Sequence, residues 1–271
     1  MTTFQKIVKY LAIAFALFLT VNIIAGILMG VAGISGLLSD KDDTTPAAEM
    51  QTYPVEGEIS SLSIELSTAG LILQTGEAFS VESNHPYVSV TADNGTLTVS
   101  ETKKLFTSIK STSVVITVPD GFVFDEVTVD TGAGRVEFEA LTCDVLDLSL
   151  GAGRVDIHRL TANERAEIDG GAGQLTVDGG KLCNLNLDMG VGALTLTSRL
   201  EGQCSLDYGV GSTKLILLGH REDYQISLDK GLGDAHLAGE VMQDGAVYGT
   251  GAQKIDIDGG VGSITVDFAD E

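Results

Sequence analysis

Six aspartates recur at one place in a repeated pattern: Asp130, Asp169, Asp188, Asp207, Asp229 and Asp258, with Ser149 in a seventh copy. Each stands two residues before a Gly-x-Gly phrase. Carboxylate oxygens are hard ligands, so a row of them could collect Ca²⁺ or other cations, weakly and cumulatively. The spacing does not match the nine-residue glycine-rich calcium repeat, and no EF-hand loop is present. In stacked coils, neighbouring carboxylates would lie about 5 Å apart and repel by about 0.9 kcal/mol per pair even in bulk water. An architectural reading competes with cation binding. In it, each aspartate accepts hydrogen bonds from backbone N–H groups at the glycine turn, as in an Asx-turn.

The other chemistry-bearing residues are scattered. His85, His158, His220 and His236 show no metal-ligand spacing. Cys143, Cys183 and Cys204 form no C-x-x-C, are odd in number and sit near apolar repeat positions, so they read as buried small hydrophobes. A Cys183–Cys204 bridge between neighbouring coils stays open. No H-E-x-x-H, G-x-S-x-G or Walker pattern occurs, and Gly-x-Gly here precedes a strand and lacks the third glycine of a dinucleotide fingerprint. No catalytic, cofactor-binding or resident metal residue is assigned. Arg135 and Arg154 recur at one position beside Asp130 and Asp156, a small foothold for a glycan-active β-helix enzyme. Surface salt bridges explain them as well.

The aspartates are positioned by the glycine phrases: Gly132-Ala133-Gly134, Gly151-Ala152-Gly153, Gly171-Ala172-Gly173, Gly190-Val191-Gly192, Gly209-Val210-Gly211, Gly231-Leu232-Gly233 and Gly260-Val261-Gly262. The first five begin 19 or 20 residues apart, the sixth after 22 and the seventh after 29. Such a period marks a stacked repeat. Counting from the first glycine as zero, positions −5 and −3 are apolar, as in Val127/Val129, Leu146/Leu148 and Leu185/Leu187. So are positions +4 and +6, as in Val136/Phe138, Val155/Ile157 and Leu194/Leu196. Each half alternates with polar residues and reads as a strand with one buried face. Buried parity is odd before the glycines and even after, so the chain must turn or bulge there, which glycine tolerates. The middle residues continue the inward parity of the preceding strand. Connectors add Leu141, Leu160 or Leu200. The pattern predicts an all-β fold: a parallel β-solenoid of about seven coils, right-handed because parallel crossovers almost always are. An antiparallel sandwich is the rival.

Residues 1–38 carry only Lys6 and Lys9, followed by an uncharged run from Tyr10 to Leu38. That run is long enough to span a bilayer and longer than a signal-peptide core of about 7–15 residues. It is expected to be an uncleaved anchor, with Lys6 and Lys9 cytoplasmic and the rest extracytoplasmic. Gly26 and Gly30 form a Gly-x-x-x-Gly face that could pair two such helices. Residues 39–58 form a polar linker. Residues 59–126 carry strands without Gly-x-Gly and are expected to cap the stack. Ser67-Thr68-Ala69 stands where a glycine corner would stand, and Asp93-Asn94-Gly95 signals a hairpin between Val88/Val90 and Leu97/Val99. Lys103, Lys104 and Lys110 make the one local basic cluster. Residues 127–271 carry the repeats. Whole-chain charge is −22, with 38 acidic side chains against 16 basic, so a nucleic-acid partner is excluded for want of a basic stripe.

The N-terminal run, VVITVPDGF before the first repeat, and the phrases VTVDTGAGRVEFEAL and LDLSLGAGRVDI resemble a bacterial family of β-strand-repeat envelope proteins, candidate adhesins with a domain of unknown function that includes the LiaG-like proteins. The resemblance covers about residues 55–268 and implies a surface-exposed, non-catalytic module, sometimes linked to envelope-stress systems. It carries over no site residues. The expected role is adhesion-like or scaffolding contact with an envelope protein or cell-wall glycan. A sensory or regulatory module acting through a membrane partner is the alternative.

Overall fold

The computed structural model describes residues 49–101 and 112–270. The predicted anchor, its Gly26/Gly30 face, the first half of the linker and the Lys103/Lys104/Lys110 cluster lie outside the described residues. Within them the fold is all-β: one 16-stranded sheet, with a single three-residue 3₁₀ turn at Arg221–Asp223. The repeats pair in parallel and in register. Leu187 pairs with Leu206 and Asp188 with Asp207, then Val191 with Val210 and Leu196 with Leu215. The same holds between Leu185–Glu201 and the third repeat, where Leu187 meets Ile168 and Leu194 meets Leu175. Parallel pairing of equivalent positions is the arrangement of a β-solenoid and excludes the antiparallel sandwich.

The inward positions are the predicted ones. Leu146, Leu148, Ile157, Ile168, Val177, Leu187 and Leu196 are essentially sealed from solvent. Leu141, Leu160 and Leu200 are buried too, giving each coil a third inward side. There Ala162 pairs with Leu182, and Leu182 with Leu200. No coil can bury its face alone, so the core is made by stacking.

The order of the coils departs from the order of the sequence at both ends. From Gly132 to Gly209 the rungs follow the chain. The next rung is not the sixth repeat but the seventh: Gln203–Leu218 pairs along its length with Gln253–Ala269. The sixth repeat, Tyr224–Asp229 and Leu232–Leu237, lies on the far side of that strand. At the other end, Ser61–Leu66 and Gly70–Gly76 pair with the Gly132 rung on one side. On the other they pair with Thr96–Glu101 and Ser113–Pro119, which come later in sequence. The first and last coils of the described chain are thus each held between two others. A terminal strand paired on both edges is protected from the fraying expected of chain ends.

This order explains the irregular repeat spacing. Climbing two rungs takes about 9.6 Å, twice the strand separation, so the step from Gly209 to Gly231 is longer than its predecessors. The return to the vacant rung uses the 29-residue step, which holds the short strands Glu240–Val241 and Ala246–Tyr248. These two run antiparallel on the sixth repeat and cover its edge. At the opposite end, Val88–Asp93 and Ser80–Ser83 run antiparallel on the outer rung, and Gln51–Tyr53 adds to the latter. These antiparallel additions leave only short strands at both edges of the stack, one of the ways proteins blunt edges that invite aggregation. The hairpin at Asn94-Gly95 has positive φ at both central residues (49° and 82°), as a type I′ turn requires.

Candidate functional site

The aspartates point outward beside the glycine corners, and the stack brings them into one file. Asp169 pairs with Asp188, Asp188 with Asp207, Asp207 with Asp258, and Asp258 with Asp229. Asp130 continues the file at the N-terminal end, with Ser149 interrupting it. Shallow grooves open to solvent run beside the file, floored by the glycines. One is lined by Asp188, Asp207 and Asp258 with Gly190, Gly209 and Gly260; the other reaches from Asp130 through Ser149 and Asp169 to Asp188.

The Asx-turn expectation is corrected. Among the described residues no backbone N–H donates to any of the six carboxylates. The corner amides are instead engaged by the neighbouring rung, as where Ala133 N–H donates to the Ser67 carbonyl at 2.9 Å. At the Gly190, Gly209 and Gly260 corners the ladder skips only the first glycine, passing from Met189–Tyr208 to Val191–Val210 and from Tyr208–Gly259 to Val210–Val261, so few corner donors are left for a side chain to cap. The carboxylates therefore face mainly one another. Partial burial, reinforced by Asp188 and Asp258 on either side, pushes the Asp207 carboxyl above its ordinary value. Protonation of Asp207 is thus easier in the folded chain than in the unfolded one. Its charge works against folding at neutral pH, and that cost fades as pH falls through the raised pKa. Asp207→Asn is expected to stabilise the protein at pH 7 by about 1 kcal/mol, the scale of like charges one rung apart. That is a Tm rise of about 2–4 °C for a domain of this size. Melting curves should converge as the pH drops below the ordinary aspartate value of 3.8.

A second file was missed by the sequence pattern. The middle residues of the glycine phrases do not face inward. Val191, Val210, Val261 and Leu232 are 55, 49, 48 and 73% exposed. Inward parity ends two residues earlier, where Leu150, Met189 and Tyr208 are buried. The second glycine then turns the chain, with φ near +150° at Gly153, Gly173, Gly192, Gly211, Gly233 and Gly262. A residue at the apex of a convex corner points to solvent whatever its parity. The signal for this file was the substitution of Ala133, Ala152 and Ala172 by larger apolar residues in the later repeats.

The remaining candidates are structural. Arg154 Nε donates to Asp156 Oδ2 at 2.7 Å, and Arg135 lies 3.5 Å from Glu137 and 3.9 Å from Asp156, a solvated ion-pair cluster without Asp130. His158 pairs with Asp178 at 3.3 Å on the surface. The three cysteines are free and buried, and burial pushes Cys143 up to about 12 and Cys204 up to about 11, far from a reactive thiolate. The apolar hollow behind the first corners, lined by Val136, Leu150, Val155, Leu175 and Met189, contains no titratable group. Among the described residues no three His, Cys, Asp or Glu side chains gather as a metal centre, and no helix is long and apolar enough to cross a membrane.

One buried polar pair has no counterpart in the sequence pattern. His85 is 2% exposed, with Nε2 3.4 Å from Glu101 Oε1. Its Nδ1 accepts from the Tyr87 N–H at 3.2 Å, which places the ring proton on Nε2. Glu101 Oε2 in turn accepts from the Ser67 and Thr68 amides at 2.7 and 3.1 Å. The pair clamps the Ser67-Thr68-Ala69 corner, which lacks the Gly-x-Gly phrase. Its members are 16 residues apart, His85 in the connection after Ser80–Ser83 and Glu101 at the end of Thr96–Glu101, so no local spacing could reveal them.

No curated protein matches the chain. Among solved structures, a candidate adhesin from Bacteroides fragilis is 16% identical, covering 80% of this chain and 95% of its own, with a TM-score of 0.45. A candidate adhesin from Parabacteroides distasonis is 15% identical, covering 82% and 98%, with a TM-score of 0.43. A candidate cell adhesion protein from Clostridium sporogenes is 14% identical, covering 82% and 99%, with a TM-score of 0.37. The family model that matches residues 59–237 spans the N-terminal rungs and the first six glycine phrases, and through it the chain belongs to the Toastrack DUF4097 family, a domain of unknown function.

Proposed function

We propose that this protein is a non-catalytic contact module of the bacterial cell envelope, adhesion-like or scaffolding in role, held at the membrane by its N-terminal apolar run with the β-stack outside the cytoplasm. The observation that carries the reading is the periodic exterior. Successive rungs repeat the same outward residues in register, giving a linear surface rather than a cleft. Extended repeat surfaces of this kind are suited to macromolecular contact. The names borne by the structural neighbours point the same way. We also read the stack as right-handed, from the general preference of parallel crossovers.

The test is cross-linking in intact cells followed by identification of what is captured, repeated with the N-terminal run exchanged for an unrelated span. A contact role predicts an envelope protein or cell-wall glycan captured by both forms. Loss of every captured partner on exchanging the span would favour a regulatory role exerted through the membrane helix. Glycan cleavage by the purified protein would overturn the non-catalytic reading.

A further inference from the structure

The two outward files are not uniform along the stack. Over the four rungs at the C-terminal end, the spatial order is Asp188, Asp207, Asp258, Asp229 in one file and Val191, Val210, Val261, Leu232 in the other. Each aspartate is separated from its apolar companion by two residues, the second always a glycine and the first Met189, Tyr208, Gly259 or Lys230. Over the preceding rungs the apolar file shrinks to Ala133, Ala152 and Ala172, and the third position past the first glycine holds Arg135 and Arg154. Those arginines sit among Glu137 and Asp156 and locally offset the acidic charge. In the four terminal rungs that position is Ala193, Ser212, Ser263 and Asp234, so the neighbouring position supplies no cation. Of the cations in these rungs, Arg199 pairs with Glu201, and among the described residues neither it nor Lys214, Lys230 or Lys254 forms an ion pair with the four aspartates. Four large aliphatic side chains in a line beside four unneutralised carboxylates make a surface that is both apolar and strongly negative. An isolated exposed valine needs no explanation, whereas a contiguous apolar line with a charged border marks an interaction site.

The spacing selects the shape of what fits. Equivalent residues on successive rungs are about 4.8 Å apart. An α-helix laid along the stack presents successive turns every 5.4 Å, and over three intervals the mismatch stays under about 2 Å. An extended strand repeats same-face side chains every 6.6–6.8 Å and falls out of step after one interval. We infer that the four terminal rungs form a docking ridge for a cationic amphipathic helix, its apolar stripe on Val191, Val210, Val261 and Leu232 and its Lys/Arg stripe on Asp188, Asp207, Asp258 and Asp229. The groove-binding of amphipathic helices supplies the general precedent for apolar anchors one turn apart. This deepens the contact-module reading and rests on it only for the claim that the surface has a partner.

The test uses the full chain in nanodiscs of zwitterionic lipid and a dye-labelled Lys/Leu amphipathic helix of about 18 residues, or five turns. Controls are a peptide of the same composition with Lys and Leu not segregated, and Ca²⁺ alone. Saturable binding that weakens with added salt is expected for the amphipathic peptide. Val210→Thr with Val261→Thr should lower affinity about tenfold, because hydroxyls replace methyls at the apolar contact without changing strand preference. Asp188→Asn with Asp207→Asn should lower it at least as far. Ala152→Ser with Asp169→Asn, outside the ridge, should leave it unchanged. Circular dichroism melts confirm that each variant is folded. Equal binding of the unsegregated peptide, an equal loss in the Ala152/Asp169 variant, or no loss in the valine variant would overturn the ridge; the last, with displacement by millimolar Ca²⁺, would leave a plain cation-collecting row. These outcomes are separable from the cell experiment. Failure to capture any partner in cells removes the contact role, while loss of selectivity in nanodiscs removes only the ridge.

Discussion

Gly211→Ala is expected to unfold the C-terminal half of the stack. Gly211 has φ +148°, a region that side chains rarely enter, and a Cβ there would sit on the carbonyl oxygen of Gly192 in the adjacent rung. That oxygen cannot retreat, because Gly192 is itself paired to the rung beyond, at Gly173. Backbone strain of about 1–3 kcal/mol adds to an overpacking cost of about 1–3 kcal/mol or more. The sum, about 2–6 kcal/mol, is a large share of the 5–15 kcal/mol that typically holds a domain together. Gly179→Ala is the matched control. Its nearest neighbour would be the His158 carbonyl oxygen at 3.6 Å, ordinary contact, and the change should stay within about 0.5 kcal/mol. Urea unfolding of both variants measures the difference. Similar midpoints would mean the second glycines are not packed rung on rung.

Removing residues 253–271 should be equally damaging, and for a reason peculiar to this stack. In a solenoid that follows its sequence, deleting the last coil uncovers one rung and leaves the rest intact. Here the last coil lies between two others, so its loss opens a gap. Ile255, Ile257, Ile264 and Val266 are fully buried within that coil. Burial of such side chains is worth about 1.5–3 kcal/mol each. The deletion also strips the partner from one edge of Gln203–Leu218 and separates Tyr224–Leu237 from the stack. Hydrogen exchange should lose protection across 203–237, while Phe124–Val177 keeps its own, since each rung is stabilised by its neighbours. Protection retained at Tyr224–Asp229 would contradict the insertion.

The sequence carried the repeating unit well and the assembly poorly. Inward positions such as Leu146/Leu148 and Leu194/Leu196, the glycine corners and the Asn94-Gly95 hairpin are local patterns, set by alternation and by backbone angles within a few residues. Rung order is not local. The steps to Gly231 and Gly260 lengthen in sequence, but a longer step reads equally as a surface loop, and only pairing shows that it skips a rung and returns. The valine file was misplaced because parity was carried one inward position, two residues, too far, into the corner's apex. The aspartate file was legible, yet its hydrogen bonding was not: corner amides that looked free in one coil are used by the next. His85 and Glu101 were invisible because their meeting depends on how separate strands cross the N-terminal end.

The continuity of the proposed ridge depends on the seventh coil lying between the fifth and sixth, and paired cysteines test that order most directly. In a background with Cys143, Cys183 and Cys204 replaced by alanine, Lys214→Cys with Thr265→Cys puts thiols on directly paired residues. Their Cα separation, about 4.8 Å, falls inside the range a disulfide accepts. Lys214→Cys with His236→Cys puts them two rungs apart, about 9.6 Å, beyond that range. Mild oxidation followed by mass spectrometry should show a bridge in the first protein and free thiols in the second. A bridge between positions 214 and 236, with none between 214 and 265, would show that the coils follow the sequence and would contradict the inserted strand.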